Sequence, residues 1–269
     1  MIRWPHPKLL HLGTALGLLL ALAPAFAVID ERKAIELSQN ALGNELRDLR
    51  LLTANGQEAR LSDYVGKPIA ISMIFTACVH SCSVTTRHLN RVVQIARDAL
   101  GDDSFHFLTI GFDHPVDTPE AMREYARRHG ARDRHWEFLA SDDPNGLARL
   151  MDDLGFMYAP SPRGYEHTVQ VSIIDPDGRV YRQVYGEIFD TPLLVEPMKD
   201  LILGRPSPDD GLLTRIGNRV RLICTVYDAK ADRYYFDYSL FVGILIGAVV
   251  LGWASLWLLL EVRRRVGTA

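Results

Sequence analysis

Residues Ser239 to Leu260 run for 22 positions without a charged side chain. At about 1.5 Å of rise per residue, a helix of that length covers a hydrocarbon core of roughly 30 Å. A core helix of a soluble protein seldom runs so far without a polar face, so the stretch is expected to span a membrane. Tyr234, Tyr235, Tyr238 and Trp257 sit near its two ends, as interfacial aromatics do, and Arg263, Arg264 and Arg265 follow it directly. Positive residues stay on the cytoplasmic side, which puts the part before Ser239 on the opposite face. Gly243 and Gly247 make a GxxxG pair, which in a single helix is more often incidental than a dimer seam.

The N-terminus points the same way. Arg3 and Lys8 flank the start of an apolar run, Leu9 to Leu22, and Ala25-Phe26-Ala27 follows as a small-residue cleavage site. That is the pattern of a secretory signal peptide over residues 1–27. The two ends together predict a soluble body in the periplasm or an equivalent space, held to the inner (cytoplasmic) membrane by one C-terminal span. With 48% hydrophobic residues among 269, that body is long enough to bury a sizeable core. A net charge of −3 shows no basic excess and gives no support to nucleic acid as a partner. Three cysteines are too few for a disulfide framework.

Between the ends, strand and helix signals alternate. Residues 28–43 are charged and helix-compatible, and read as a connector. Next come a strand, an Asn55-Gly56 turn of the hairpin type and a return segment that ends at Lys67-Pro68. Ile69 to Phe75 is apolar almost throughout, as a strand covered on both faces is. From Ser83 the apolar residues recur at helical spacing until Gly101. A second buried strand lies in Ser104 to Asp113, and a helix follows with Thr118 as N-cap, Pro119 at its first position and Gly130 at its end. A third strand around Trp136 and a helix from Pro144 to Leu154 come next, then a polar loop. Two strands joined by the turn Asp175-Pro176-Asp177-Gly178 and a helix near Pro192 to Leu203 close the set. The pattern predicts an α/β fold: a thioredoxin-like mixed sheet flanked by helices over residues 44–204, plus the C-terminal transmembrane helix. Residues 205–238 then form a juxtamembrane extension containing Cys224, 239–260 the span and 261–269 a cytoplasmic tail.

Cys78 and Cys82 fall in the turn between the first buried strand and its helix. Positions i and i+4 of a helical turn share a face, so the two sulfurs can meet each other or one ligand. A helix N-terminus favours the thiolate, the form that attacks disulfides and binds metal. Four readings stay open: metal ligands, a redox couple, a stabilising disulfide whose very small loop would contribute little, or buried inert thiols that only pack. A soft metal needs more than two thiolates. His6 and His11 leave with the signal peptide; His80 projects from another side of the turn, and His88, His106, His114, His129 and His135 suit solvated or capping roles. His167 differs, because in a thioredoxin-like arrangement the loop entering its strand faces the cysteine turn. Two thiolates and an imidazole suit Cu(I), or Cu(II) in a distorted site, and no fourth ligand for structural zinc is evident.

In order along the chain, "GKPIAISMIFTACVHSC", "FDHPVDTPEAMREYARRHG", "WEFLASDD" and "YEHTVQVSIIDPDGRVYRQVYG" resemble the Sco/SenC family of copper-binding, thioredoxin-like assembly factors for cytochrome c oxidase. The resemblance covers about residues 44 to 204. It implies that Cys78, Cys82 and His167 are copper ligands, and that Asp113 tunes them from beside the site. It also implies partners: the copper-site subunit of cytochrome c oxidase, with other copper carriers or thiol reductants. Two features depart from the family. Val79 and Ser83 stand where it commonly has prolines beside the cysteines, and the span lies at the C-terminus rather than near the N-terminus. The segment around Cys224 is similar to the extension of a bacterial subgroup, which suggests an accessory thiol. The function expected is a copper chaperone rather than a conventional enzyme. The alternatives are a thiol–disulfide oxidoreductase working through Cys78 and Cys82, and a module that senses redox state or copper.

Overall fold

The computed structural model describes residues 29–78, 81–131, 133–204, 220, 222 and 224–266. The expected signal peptide, His80, and the extension between residues 205 and 219 lie outside the described residues. The chain begins with helix α1 (Glu31–Asn40), where the connector was read. Asp30 caps it by accepting the amides of Arg32 and Lys33. Its Ser38 hydroxyl accepts the Tyr185 phenol at 2.9 Å, so the helix is docked on the body.

Seven strands make the central sheet: β1 (Arg50–Thr53), β2 (Glu58–Arg60), β3 (Ile69–Ile74), β4 (His106–Gly111), β5 (Trp136–Ala140), β8 (Gln170–Ile174) and β9 (Val180–Tyr185), in the order β2-β1-β5-β4-β3-β8-β9. β3, β4 and β5 run parallel, and the strands outside them pair antiparallel. This is the mixed sheet that the alternating pattern predicts. Every residue of β3 is buried, Ser72 included, as its almost wholly apolar run requires of a strand with helices on both faces. Helices α2 (Ser81–Leu100), α3 (Pro119–Arg128), α4 (Pro144–Asp153) and α5 (Pro192–Gly204) flank it. Leu89, Val92, Val93 and Ala96 of α2 are fully buried, and each such aliphatic side chain contributes roughly 1.5–3 kcal/mol of transfer free energy, Ala96 less. Thr118 accepts the Ala121 amide and Pro119 opens α3, as expected.

Buried charge fastens the far end of α2. Arg97 pairs with Asp133 at 3.1 Å, donates to the carbonyls of Phe105 and His135, and lies 3.7 Å over the Phe105 ring. At Gly155, with φ of +61°, the turn after α4 passes so close to α1 that a Cβ would lie 2.7 Å from the Leu37 carbonyl oxygen. Gly155→Ala is therefore expected to cost about 1–3 kcal/mol, through left-handed backbone and backbone collision together. A lowered Tm, with faster amide exchange in α1, is the readout. An unchanged Tm would mean that α1 does not pack there.

Two hairpins depart from the expected outline. The polar loop before His167 contains β6 (Tyr158–Ser161) and β7 (Gly164–His167), paired only with each other. In the extension, β10 (Thr225–Asp228) and β11 (Arg233–Phe236) form a second hairpin docked on the body. Its Asp232 meets Arg91 of α2 at 3.2 Å and Thr191 at 2.7 Å, and Tyr234 donates to Glu196 of α5 at 2.8 Å. Tyr234 is thus tied to the body. Helix α6 (Ser239–Val266) begins two residues later, and its segment Ser239–Leu258 is long and apolar enough to cross a membrane.

Candidate metal centre

β3 ends at Ile74, and the chain turns so that the Cys78 amide reaches the Phe75 carbonyl at 3.0 Å. Among the described residues α2 starts at Ser81. Only Cys82 therefore lies in its first turn, and Cys78 sits ahead of the helix, not within it as the i, i+4 reading assumed. The reason is local: the Cys78 sulfur accepts the Cys82 amide at 3.4 Å, the role that an N-cap oxygen plays elsewhere, and its Sγ stands 3.4 Å from Ser81 Oγ. The two sulfurs still share one end of the helix. All three cysteines are free thiols.

The two thiols are shifted in opposite directions. The bond with Cys82, with further help from Ser81 and the Cys82 amide, holds Cys78 far below the ordinary thiol range against the cost of its burial. Cys82 is pushed well up by the same bond, by its burial at 3% exposure and by the charge on Cys78. Cys78, the outer of the two, is thus the more acidic thiol and the inner Cys82 the less acidic.

His167 closes the group. Its Nε2 stands 3.6 Å from Cys82 Sγ, and its Nδ1 lies 3.0 Å from the Thr168 carbonyl. The carbonyl needs a donor, so Nδ1 carries the hydrogen and Nε2 presents its lone pair to the sulfurs. Phe75, Phe112 and Phe156 surround the ring at centroid distances of 5.9, 5.5 and 5.6 Å. Three hydrogen bonds between Thr168 and Met157 tie the strand's end. Two sulfurs and an imidazole nitrogen, the donor types that suit a soft ion, meet in a largely aromatic wall at hydrogen-bonding rather than coordination separations, and among the described residues no three side chains stand ready-spaced for a metal.

Asp113 accepts the Tyr165 phenol at 3.0 Å. A second acid, Asp117, 5% exposed and four residues on in the same segment, bonds to the cysteine turn itself, and the sequence reading does not single it out. Its Oδ1 accepts the Thr76 amide and hydroxyl, and its Oδ2 the Asp113 amide. Burial pushes its carboxyl pKa up, while these bonds pull the other way.

Other candidates lie elsewhere. His88 is buried, not solvated, and accepts the Phe189 amide at 3.3 Å; His129 stacks on Tyr125 and its Nε2 lies 3.1 Å from Ser83 Oγ. Cys224 is 6% exposed at the foot of the β10–β11 hairpin, with its carbonyl accepting the Asp237 amide. The structure thus brings Cys78, Cys82 and His167 together, reaches Asp113 through Tyr165, and keeps Cys224 in a separate element.

Comparison with known proteins gives the same outline. The SCO1/SenC family profile matches residues 39–202. A proposed electron transfer protein from Aquifex aeolicus VF5 superposes with a TM-score of 0.56 at 25% identity, over 63% of this chain and 98% of its own. Bradyrhizobium japonicum ScoI, solved with copper bound, gives 0.50 at 21%, over 60% and 99%. BsSco, described as having a disulfide switch and as a member of the Sco family of cytochrome c oxidase assembly proteins, gives 0.53 at 16%, over 60% and 94%. A search of curated protein sequences finds no match.

Proposed function

The chain belongs to the SCO1/SenC family, and from that premise we propose that it is a membrane-anchored copper chaperone, loading copper on Cys78, Cys82 and His167 and passing it to the binuclear copper site of a cytochrome c oxidase. The observation that carries this reading is the orientation of His167: its Nδ1 hydrogen is held by Thr168, and Nε2 is aimed at Cys82 Sγ from 3.6 Å. Thiol exchange has no use for such an imidazole. The anchor is α6, and the body lies on the periplasmic side, where the arginines after the span would leave it.

Both cysteines bind the ion as thiolates, the more acidic Cys78 giving up its proton the more readily, so that loading replaces each remaining S–H by an S–metal bond and sets that proton free. Swinging His167 away reverses the last bond and hands the ion to an acceptor's ligands, with no electron transferred. A disulfide between the cysteines would remove both sulfurs, so only the reduced pair takes up metal.

A second reading has support in the unequal pair. An outer thiolate attacking a partner's disulfide, with an inner thiol to resolve the mixed disulfide, is the arrangement of an oxidoreductase. Titration of the reduced full-length protein in detergent with Cu(I) separates the two. We expect one copper per wild-type chain, and His167→Ala should weaken binding by about one to two orders of magnitude. Unchanged affinity and stoichiometry in His167→Ala would favour thiol exchange. A module that only senses copper would bind it and leave oxidase metallation unaffected when deleted.

A further inference from the structure

His167 and the cysteines belong to segments far apart in sequence, and the hairpin that carries His167 has no partner strand in the central sheet. A two-stranded hairpin is marginal by itself, so its position over the cysteine turn depends on side-chain ties. One continuous line of hydrogen bonds supplies them. Thr76, two residues before Cys78, donates its amide and hydroxyl to Asp117 Oδ1 at 2.8 and 2.6 Å. Asp117 Oδ2 accepts the Asp113 amide at 2.8 Å, and Asp113 Oδ1 accepts the Tyr165 phenol at 3.0 Å. Tyr165 and His167 lie two apart on β7, and therefore on one face. Both rings pack on the same pair: Phe75 at 5.5 and 5.9 Å, and Phe112 at 5.4 and 5.5 Å.

We propose that Thr76, Asp117, Asp113 and Tyr165 form a brace that fixes the spacing between His167 and the cysteine turn, with Tyr165 as the positioning residue. The proposal rests on the reading of Cys78, Cys82 and His167 as a copper site. The brace makes the site's geometry a property of the protein before metal arrives, so the imidazole need not be ordered at the cost of binding free energy. Asp113 acts through the hairpin and not on the imidazole itself. Loosening the Tyr165 end frees the histidine and leaves the two sulfurs in place.

The test uses full-length protein in detergent. Tyr165→Phe removes one oxygen and keeps the ring packing. It should still bind one Cu(I) per chain, but release it to a chelator roughly ten- to a hundredfold faster, the effect of losing a hydrogen bond to a carboxylate. In the copper-free protein, amides 164–167 should exchange faster while those of α2 do not. Asp113→Ala should do the same, and the double variant should be no worse than either single one. Release within twofold of wild type, or two single effects that simply add, would overturn the brace. If wild type binds no copper, the copper reading fails on its own account, and the amide exchange and the coupling between the two variants still decide the brace.

Discussion

Cys82→Ser is expected to lower affinity for Cu(I) more than about a hundredfold, the largest functional effect foreseen for a single atom in this chain. Changing a group that merely supports a metal ligand costs about 10–100-fold, and removing a sulfur ligand should exceed that. A serine hydroxyl is hard, keeps its proton at neutral pH and offers little to a soft ion. The fold should tolerate the exchange: the position is buried, yet it faces the Cys78 sulfur, which can accept from a hydroxyl. Chelator competition on the reduced full-length protein gives the affinity, and thermal unfolding gives the control. Affinity within tenfold of wild type, with an unchanged Tm, would remove Cys82 from the ligand set.

The largest effect on stability is expected at Arg97, far from the sulfurs. Its side chain is 4% exposed and that of Asp133 8%. Arg97→Ala would strand the Asp133 carboxylate in the interior, leave the carbonyls of Phe105 and His135 without this donor, and strip a packed stem from the Phe105 ring. Breaking a buried pair from one side costs about 3–5 kcal/mol. At about 2–4 °C per kcal/mol for a body of this size, Tm should fall by roughly 6–20 °C. Arg97→Met is the informative companion, because it keeps the stem and loses the charge. Should Arg97→Ala shift Tm by less than about 2 °C, the pair is not carrying the α2 end.

What the sequence makes legible follows from the range over which each signal acts. The all-buried strand Ile69–Ile74, the Thr118-Pro119 helix start and the Asp175–Gly178 turn are set by neighbours within a few positions, and each stands where it was read. The hairpin under His167 was hidden because its strands are four residues long, half exposed and interrupted by Pro160. Its existence depends on the aromatic wall that it meets. Asp117 and Arg97 were passed over for the same reason: a charged residue reads as solvated until the fold supplies Thr76 or Asp133 as its partner. The tie of Tyr234 to Glu196 joins elements nearly forty residues apart, so no local signal announces it. His167 could be singled out in advance only through the topology that brings the end of its strand to the cysteine turn.

The β10–β11 hairpin ends at Phe236 and α6 begins at Ser239, so two residues, spanning at most about 7 Å, connect a docked element to the candidate span. Even these are pinned, since the Asp237 amide is held by Cys224 and its carboxylate takes the Ser239 amide. A cargo carrier on a long leash samples a hemisphere; one mounted this way stands like a lamp on a short post. On the copper-delivery reading, its donor face sits at a set height above the bilayer, and encounters come from lateral drift of two membrane-bound proteins whose mouths must be level.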